Sequence, residues 1–499
     1  MATDWQPKPG DRVFRPRRIK RFRLRRILGV PALFSAGYGN VGSSIYYALG
    51  IVAVVAMGAT PIALGIAGVL FIFTALTYAE GTAMLPEAGG SASFARHGFN
   101  DAVGFIAGWA LMLSYIVTIS ISAFTIPPYL GYFWEPLKDS PVIGSMVSAG
   151  VVVFLMIVNV IGIKETSFLN IGAAILDIAT QISLVVIGFV LLFNPTVLVS
   201  HIFDYWPSTE NLIFGIALAS IAYTGIETMS QMAEETKQPE KRVPKALIMM
   251  IVAVLVIFAG ISLVSLSAMT PEELASQWGR DPIAGIAANL PIALIRDVLK
   301  PLIALLAGTI LLIATNAGLI GISRLAFSLG SHRLIPAPLS RVHPRFKTPY
   351  IAIALFGAIA IMIILPGVFA ADAAEAQKPF ENMGALYAFG SLLAFMFAHA
   401  SILSLRVRRP EVTRPFRLSG NLRIKGYELP VSAIIGFMAT AAIWVVMLIT
   451  QPYGRWVGTI WMAVGFIIYC IYRRKTHLPL THVPQGPAAR VRERAAHKS

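Results

Sequence analysis

The chain has 499 residues, 56% hydrophobic and 13% charged, with a formal net charge of +16. Soluble globular chains carry about 25% charged residues, so a set of soluble domains of ~150 residues each is excluded, and the high apolar content excludes intrinsic disorder. One cysteine, Cys470, excludes a disulfide scaffold and a cysteine-based metal cluster, which leaves an all-α polytopic membrane protein.

Residues 1–29 form a basic stretch followed by an apolar run too long for a secretory signal, with no small-residue cleavage pattern. They read as a cytoplasmic tail, either solvated or lying along anionic headgroups. A membrane helix needs about 20 mostly apolar residues. Twelve such runs follow, near 31–57, 61–84, 101–130, 141–163, 166–193, 211–233, 244–269, 300–326, 349–369, 382–405, 429–450 and 455–472. With this count, every Lys and Arg except Lys138, Arg280, Arg296, Lys300, Lys378 and Arg455 falls on the side of the two termini. That asymmetry predicts cytoplasmic termini in a cell membrane. Because the positive charge sits in tails and short loops, it argues for lipid contact rather than nucleic acid. Thr270-Pro271-Glu272-Glu273 is a helix-start signal and predicts a short extracellular helix in the longest outer segment, 270–299. The expected organisation is a basic tail (1–29), a ten-helix core (30–428) of two halves at about 31–193 and 211–405, two further helices (429–473) and a basic C-terminal tail (474–499).

Two spans are interrupted. Span 1 contains Ser35-Ala36-Gly37-Tyr38-Gly39-Asn40-Val41-Gly42-Ser43-Ser44. Gly37, Gly39 and Gly42 fit G-x-G-x-x-G, but no strand precedes them and the next acid is Glu80, so a dinucleotide site fails on context. The stretch reads either as a small-residue packing face or as an unwound helix whose free amides hold an anion. Span 6 contains Ser220-Ile221-Ala222-Tyr223-Thr224-Gly225-Ile226-Glu227. An acid within a span costs roughly 2.5–3.5 kcal/mol on insertion scales, so Glu227 either pairs with a neighbouring helix or works. Interrupted helices at matching positions of two halves point to an inverted-repeat transporter.

Several motifs, in order, resemble the amino acid–polyamine–organocation permeases. They are Gly42-Ser43-Ser44-Ile45, Tyr78-Ala79-Glu80, Pro86-Glu87-Ala88-Gly89-Gly90, Ala222 to Glu227, Ala233-Glu234-Glu235-Thr236-Lys237, Arg242-Val243-Pro244, Ser323-Arg324, Leu334-Ile335-Pro336, His343-Pro344-Arg345 and Thr348-Pro349. The resemblance covers roughly residues 30–430. It implies a LeuT-like 5+5 inverted repeat with two added helices, and a secondary transporter of amino acids or amines rather than an enzyme. It places a substrate carboxylate on the amides of Gly42, Ser43 and Ser44, and the amino group on carbonyls near Ala222, Tyr223 and Gly225, beside Thr224. The Tyr223 ring would be the lid above the substrate; read from the residue alone, it is equally a core-packing aromatic. Ser114, Tyr115 and Thr118, which share one helical face, and Asn316 are candidates for side-chain selection.

Sodium-coupled members use hydroxyls of span 8. Here Ala314-Thr315-Asn316-Ala317-Gly318 lacks a Ser/Thr pair, which predicts sodium independence. Many such relatives carry a lysine within span 5; this chain has Asp177 instead. Glu227 and Asp177 are the candidate proton carriers, with Asn40 of the span 1 break grouped with them. His399 is either a third carrier or a hydrogen-bonded structural residue, and Glu80 and Glu87 are expected to pair at a gate or loop. No cofactor or metal site is implied. Asn40 to Tyr47 and Tyr115-Ile116-Val117-Thr118 also resemble potassium importers of the same superfamily, but those place carboxylates where Asn40 and Ser114 stand, and a bare cation needs negative oxygens. A non-transporting amino acid sensor on the same fold is a further alternative.

Overall fold

The computed structural model describes residues 26, 28–162, 167–372, 375–424 and 426–484, with 163–170 free of any side-chain description. The tail 1–25, Lys164 and residues 485–499 lie outside the described residues.

Apolar chain in a bilayer must satisfy its backbone groups within the segment, which selects helices. Among the described residues, eleven helical runs are long and apolar enough to cross a membrane, and the first contains two crossings. Its 55 residues, Val30–Met84, would reach ~80 Å as one straight helix, against a hydrocarbon core of ~30 Å. The run turns at Met57, where φ is 47°. There the Gly58 N–H donates to the Tyr205 carbonyl (3.0 Å). Leu28 before the run pairs with Thr236, and Glu80 near its end pairs with Arg406. The two ends therefore share one side of the bundle, the basic side, and the turn lies on the other.

Span 1 consists of Val30–Val41 and Ile45–Ala56 joined by a 3-10 turn, Gly42–Ser44, and span 2 is Thr60–Met84. A short helix, Ser91–Gly98, precedes span 3, Asp101–Leu130; spans 4 and 5 are Pro141–Ile161 and Ser167–Leu191. Span 6 consists of Thr209–Ala219, a 3-10 turn Ser220–Tyr223 and Glu227–Gln231. Spans 7 to 12 are Pro239–Ala268, Ala293–Ser331, Tyr350–Ile364, Gln377–Arg408, Val431–Thr450 and Pro452–Lys475. Span 8 starts before the expected residue 300. Its 39 residues exceed what a bilayer needs, and Arg296 and Lys300 lie in its first turns.

Local chemistry sets the helix starts. Asn100 caps span 3 by accepting from the Val103 N–H, and Ser140, followed by Pro141, caps span 4. The expected outer helix is Pro271–Ser276. Thr270 accepts from the Glu273 N–H while the Glu273 carboxylate accepts from the Thr270 N–H, a reciprocal capping box. Elements that were not expected include the short helices Ser91–Gly98, Pro195–Asp204 and Pro282–Ala288 and an antiparallel hairpin of Asn421–Ile424 with Tyr427–Pro430 on the basic side. Its turn passes through Gly426 at φ 85°.

Burial separates centre from rim. The most apolar windows of spans 3 and 6 are 83% buried, against 22% for span 12. The rim helices instead expose Phe154, Ile175, Val190, Met438 and Ile467, as lipid-facing surfaces do. Spans 1, 3, 6, 8 and 10 thus enclose the middle of the molecule, where both interruptions fall.

Candidate functional site

Span 6 breaks at Thr224–Gly225. Thr224 is extended (φ −78°, ψ 157°) and Gly225 has φ 110°, a region that disfavours a side chain. A Cβ at Gly225 would lie 2.8 Å from Asn40 Cγ, so the two interrupted spans touch here. Asn40 Nδ2 donates to Thr228 Oγ1 (3.0 Å). Glu227 Oε2 accepts from the Gly225 N–H (3.0 Å). This carboxylate opens the second half of span 6 and caps its own break, where an acid suits the helix dipole. Its bonded partner lies within its own span and not on a neighbouring helix.

The span 1 break is milder than an unwound segment. Gly42 keeps right-handed helical angles and its N–H donates to the Tyr38 carbonyl. Ser43 Oγ and Ser44 Oγ both donate back to the Asn40 carbonyl, at 2.9 and 3.3 Å, a local bond that bends helices. The expected set of three open amides is thereby corrected to a tightened turn in which the Gly42 amide is already used. The Tyr38 ring lies over Gly42, where a Cβ would approach it to 2.5 Å.

Span 10 supplies a residue that the sequence did not single out. Tyr387 Oη accepts from Thr118 Oγ1 of span 3 (2.7 Å) and Thr224 Oγ1 of span 6 (2.5 Å). One phenol thus joins a selection candidate to the span 6 break. On span 1, Ser44 Oγ and Tyr47 Oη are 2.9 Å apart. Asn40 Oδ1, Ser114 Oγ, Tyr115 Oη and Ser122 Oγ are buried without a partner among the described residues. Unpaired buried polar atoms cost about 1–3 kcal/mol each; several of them around two touching breaks mark a polar site in an apolar bundle. Ala222 is fully buried at the end of the 3-10 turn, where the last carbonyls of a helix lack intrahelical partners.

Two expected members lie elsewhere. The Tyr223 ring stacks on Phe71 of span 2 (5.1 Å) and packs on Phe258 of span 7 (5.3 Å), and its hydroxyl donates to the Leu64 carbonyl (2.8 Å). It faces away from Tyr387 and is not a lid. The Asn316 Oδ1 accepts from Asn159 Nδ2 of span 4 (2.5 Å), which takes it out of the hydroxyl cluster. Thr315 Oγ1 donates to the Leu311 carbonyl of its own helix.

Asp177 is buried in span 5 and accepts from Tyr38 Oη (2.9 Å), Tyr46 Oη (2.7 Å) and Gln181 Nε2 (2.6 Å). Tyr38 precedes the Gly42–Ser44 turn and Tyr46 follows it, so a single carboxylate clamps both halves of span 1. His399 is a structural tie, with ring nitrogens 3.2 and 2.9 Å from Thr74 and Thr77 hydroxyls of span 2. Glu80 takes two bonds from the Arg406 guanidinium (2.8 and 2.7 Å) and one from the Leu418 N–H (2.9 Å), joining spans 2 and 10.

On the basic side, Glu87 accepts from Ser93 Oγ (2.7 Å) and lies 3.2 Å from His97 Nε2. Burial raises its carboxyl, but the His97 and Ser93 bonds and the His97 and His332 charges outweigh that and hold it well below the usual range. His332, just past span 8, is pushed from 6.5 down to about 4 by burial and by Arg96, against the pull of Glu87. Both shifts have the same sign for stability, because the unfolded chain binds protons first. The His332 contribution is full above pH 6.5 and fades toward pH 4; that of Glu87 fades below the ordinary carboxylate range. The apparent melting temperature of detergent-purified protein should therefore fall between pH 7 and pH 5, and His332→Gln should flatten that slope. An unchanged slope in the variant would refute the assignment.

A helical bundle with two broken spans meeting at a buried polar site defines a membrane carrier. Residues 28–471 match the amino acid permease family, and the chain belongs to it. It is 25% identical over 470 residues to a branched-chain amino acid permease of Bacillus subtilis, spanning 91% of this chain and 94% of that protein. A methylthioribose transporter of the same organism is 27% identical over 515 residues, covering 96% and 99% of the two chains. A low-affinity putrescine importer of Escherichia coli K12 is 25% identical over 459 residues, covering 89% and 91%. The protein is a multi-pass membrane transporter and not an enzyme.

Proposed function

We propose that this chain carries amino acids or related organic amines across the cell membrane by alternating access, with its basic side and both termini cytoplasmic. The observation that carries the reading is the contact of the two breaks at Asn40, Gly225 and Thr228, beside the Tyr387–Thr118–Thr224 hydroxyl cluster. Two repeats of five spans, each opening with its broken helix, accord with this. A zwitterion leaves water only if both charges are met. The polar groups around Asn40 and the Tyr387–Thr118–Thr224 hydroxyls are the candidate partners of the carboxylate. The carbonyls of Ala222 and Tyr223, with Glu227 two residues past Gly225, suit an ammonium. Names among the relatives support this substrate class, since one carries branched-chain amino acids and another putrescine. Neutral Asn40 and Ser114 speak against a potassium importer.

The driving ion in this reading is the proton, with Glu227 and Asp177 as the membrane carboxylates near the two breaks. Thr315 is bonded to its own helix and Asn316 to span 4, so uptake by proteoliposomes should persist when choline replaces sodium; strict sodium dependence would overturn it. The test of the substrate class is a thermal-shift screen of the twenty amino acids, putrescine and methylthioribose, since a ligand that binds only the folded state raises stability by about 2.7 kcal/mol at 100 Kd. Uptake of each hit by proteoliposomes then separates a carrier from a sensor. A shift with methylthioribose alone would overturn the amino acid and amine reading.

A further inference from the structure

We infer that the groove between spans 10 and 11 at the basic side is a binding site for an anionic phospholipid, with an acyl chain in the groove and the headgroup on Arg408. The groove is a shallow furrow, open along one side, with a volume of about 360 Å³. Its floor is one stripe of span 10, Ala400, Leu403, Ser404 and Val407, at the i, i+3, i+4, i+7 spacing of a helix face. Ala400 and Ser404 are small, which recesses the floor, while Phe99 and Phe437 form walls. The one hydroxyl of the floor is already used, since Ser404 Oγ donates to the Gly98 carbonyl (2.6 Å). The cavity therefore presents hydrocarbon and suits an alkyl chain rather than a polar solute.

Arg408 continues the same stripe one turn beyond Ser404. Its guanidinium lies 5.5 Å from the Phe99 ring centroid, and one N–H reaches the Gly98 carbonyl (3.5 Å). These contacts position it over the open end of the groove and leave most of its five donors unused. Its neighbours are engaged differently. Arg406 is buried on Glu80, Arg409 donates to the Pro484 carbonyl, and Arg417 and Arg423 pair with Glu428. Among the described residues no carboxylate pairs with Arg408. An exposed arginine at the end of an apolar, lipid-facing groove has the charge to meet a phosphate at headgroup level, where basic pockets between helices hold anionic lipids. A second copy of the chain would have to bring an acid to that same depth in the membrane.

The test is native mass spectrometry of the full-length protein in a neutral detergent, with dioleoyl-phosphatidylglycerol or dioleoyl-phosphatidylcholine added. Wild type should retain phosphatidylglycerol in preference to phosphatidylcholine. Arg408→Gln should weaken phosphatidylglycerol retention about fivefold, the worth of one basic side chain at a charged surface, and leave phosphatidylcholine unchanged. Ala400→Trp fills the groove and should abolish retention, whereas Arg345→Gln on a distant exposed loop should change nothing. If Arg408→Gln fails to purify, thermal stabilisation by phosphatidylglycerol in wild type and its loss in Ala400→Trp decide the question. Equal retention of the two lipids by wild type, retention unaffected by Ala400→Trp, or a wild-type dimer that Ala400→Trp dissociates would overturn the proposal.

Discussion

Replacing Gly225 by alanine is expected to reduce substrate uptake by about tenfold or more, which corresponds to 1.4 kcal/mol or above, while the protein still inserts and purifies. Two costs combine. At φ 110° a side chain is strained by about 1–3 kcal/mol, and the new methyl carbon would lie 2.8 Å from Asn40 Cγ. Relief requires either that span 6 refold toward a regular helix or that Asn40 leave Thr228. Both change the contact between the two breaks, and neither touches the lipid-facing surface that governs insertion. Uptake per mole of protein in proteoliposomes, with size-exclusion elution as the folding control, reads the result. Full uptake with a normal elution profile would show that the contact is not part of the carrier cycle.

Glu227→Gln should abolish accumulation driven by a pH gradient while leaving substrate binding, and substrate exchange, largely intact. Glutamine keeps an oxygen for the Gly225 N–H but cannot carry the proton. A carrier couples a proton to its conformation only if the two states differ in proton affinity, and a carboxylate at a break that reshapes between states provides that difference. Asp177 makes the contrasting case. Asp177→Leu would strand the Tyr38 and Tyr46 hydroxyls that it accepts from across the span 1 turn, at about 1–3 kcal/mol each. Its expected loss is therefore in affinity and melting temperature as well as in accumulation. Undiminished accumulation in Glu227→Gln would remove Glu227 from the coupling role and leave Asp177 as the proton site.

The span pattern, the basic side and both breaks were legible because each is a one-dimensional feature. A run of apolar residues, a cluster of arginines or a glycine among leucines carries its cost wherever the chain folds. The Thr270–Glu273 capping box is of the same kind, since its partners are three residues apart. Tyr387 was not legible. It sits among Leu386, Ala388, Phe389 and Gly390, and that stretch has no polar stripe at helical spacing to show which side looks inward. The same limit holds for Tyr223. The resemblance implied a lid there, with core packing as the alternative, and the 3-10 turn Ser220–Tyr223 places the ring on Phe71 and Phe258.

Composition, hydropathy and the two glycine-bearing stretches were enough to establish a polytopic helical membrane protein with interruptions in spans 1 and 6. Each rests on the solvation cost of a residue, paid against water or lipid and independent of distant partners. Only the tertiary structure decided that Asn40 meets Gly225, that Asp177 clamps Tyr38 and Tyr46, that Asn316 goes to Asn159, and that Arg408 lies on Phe99 beside an apolar groove. These pairings join helices separated by many residues, and with no sustained polar periodicity to orient them, their rotation about their own axes is set by packing against every neighbour at once.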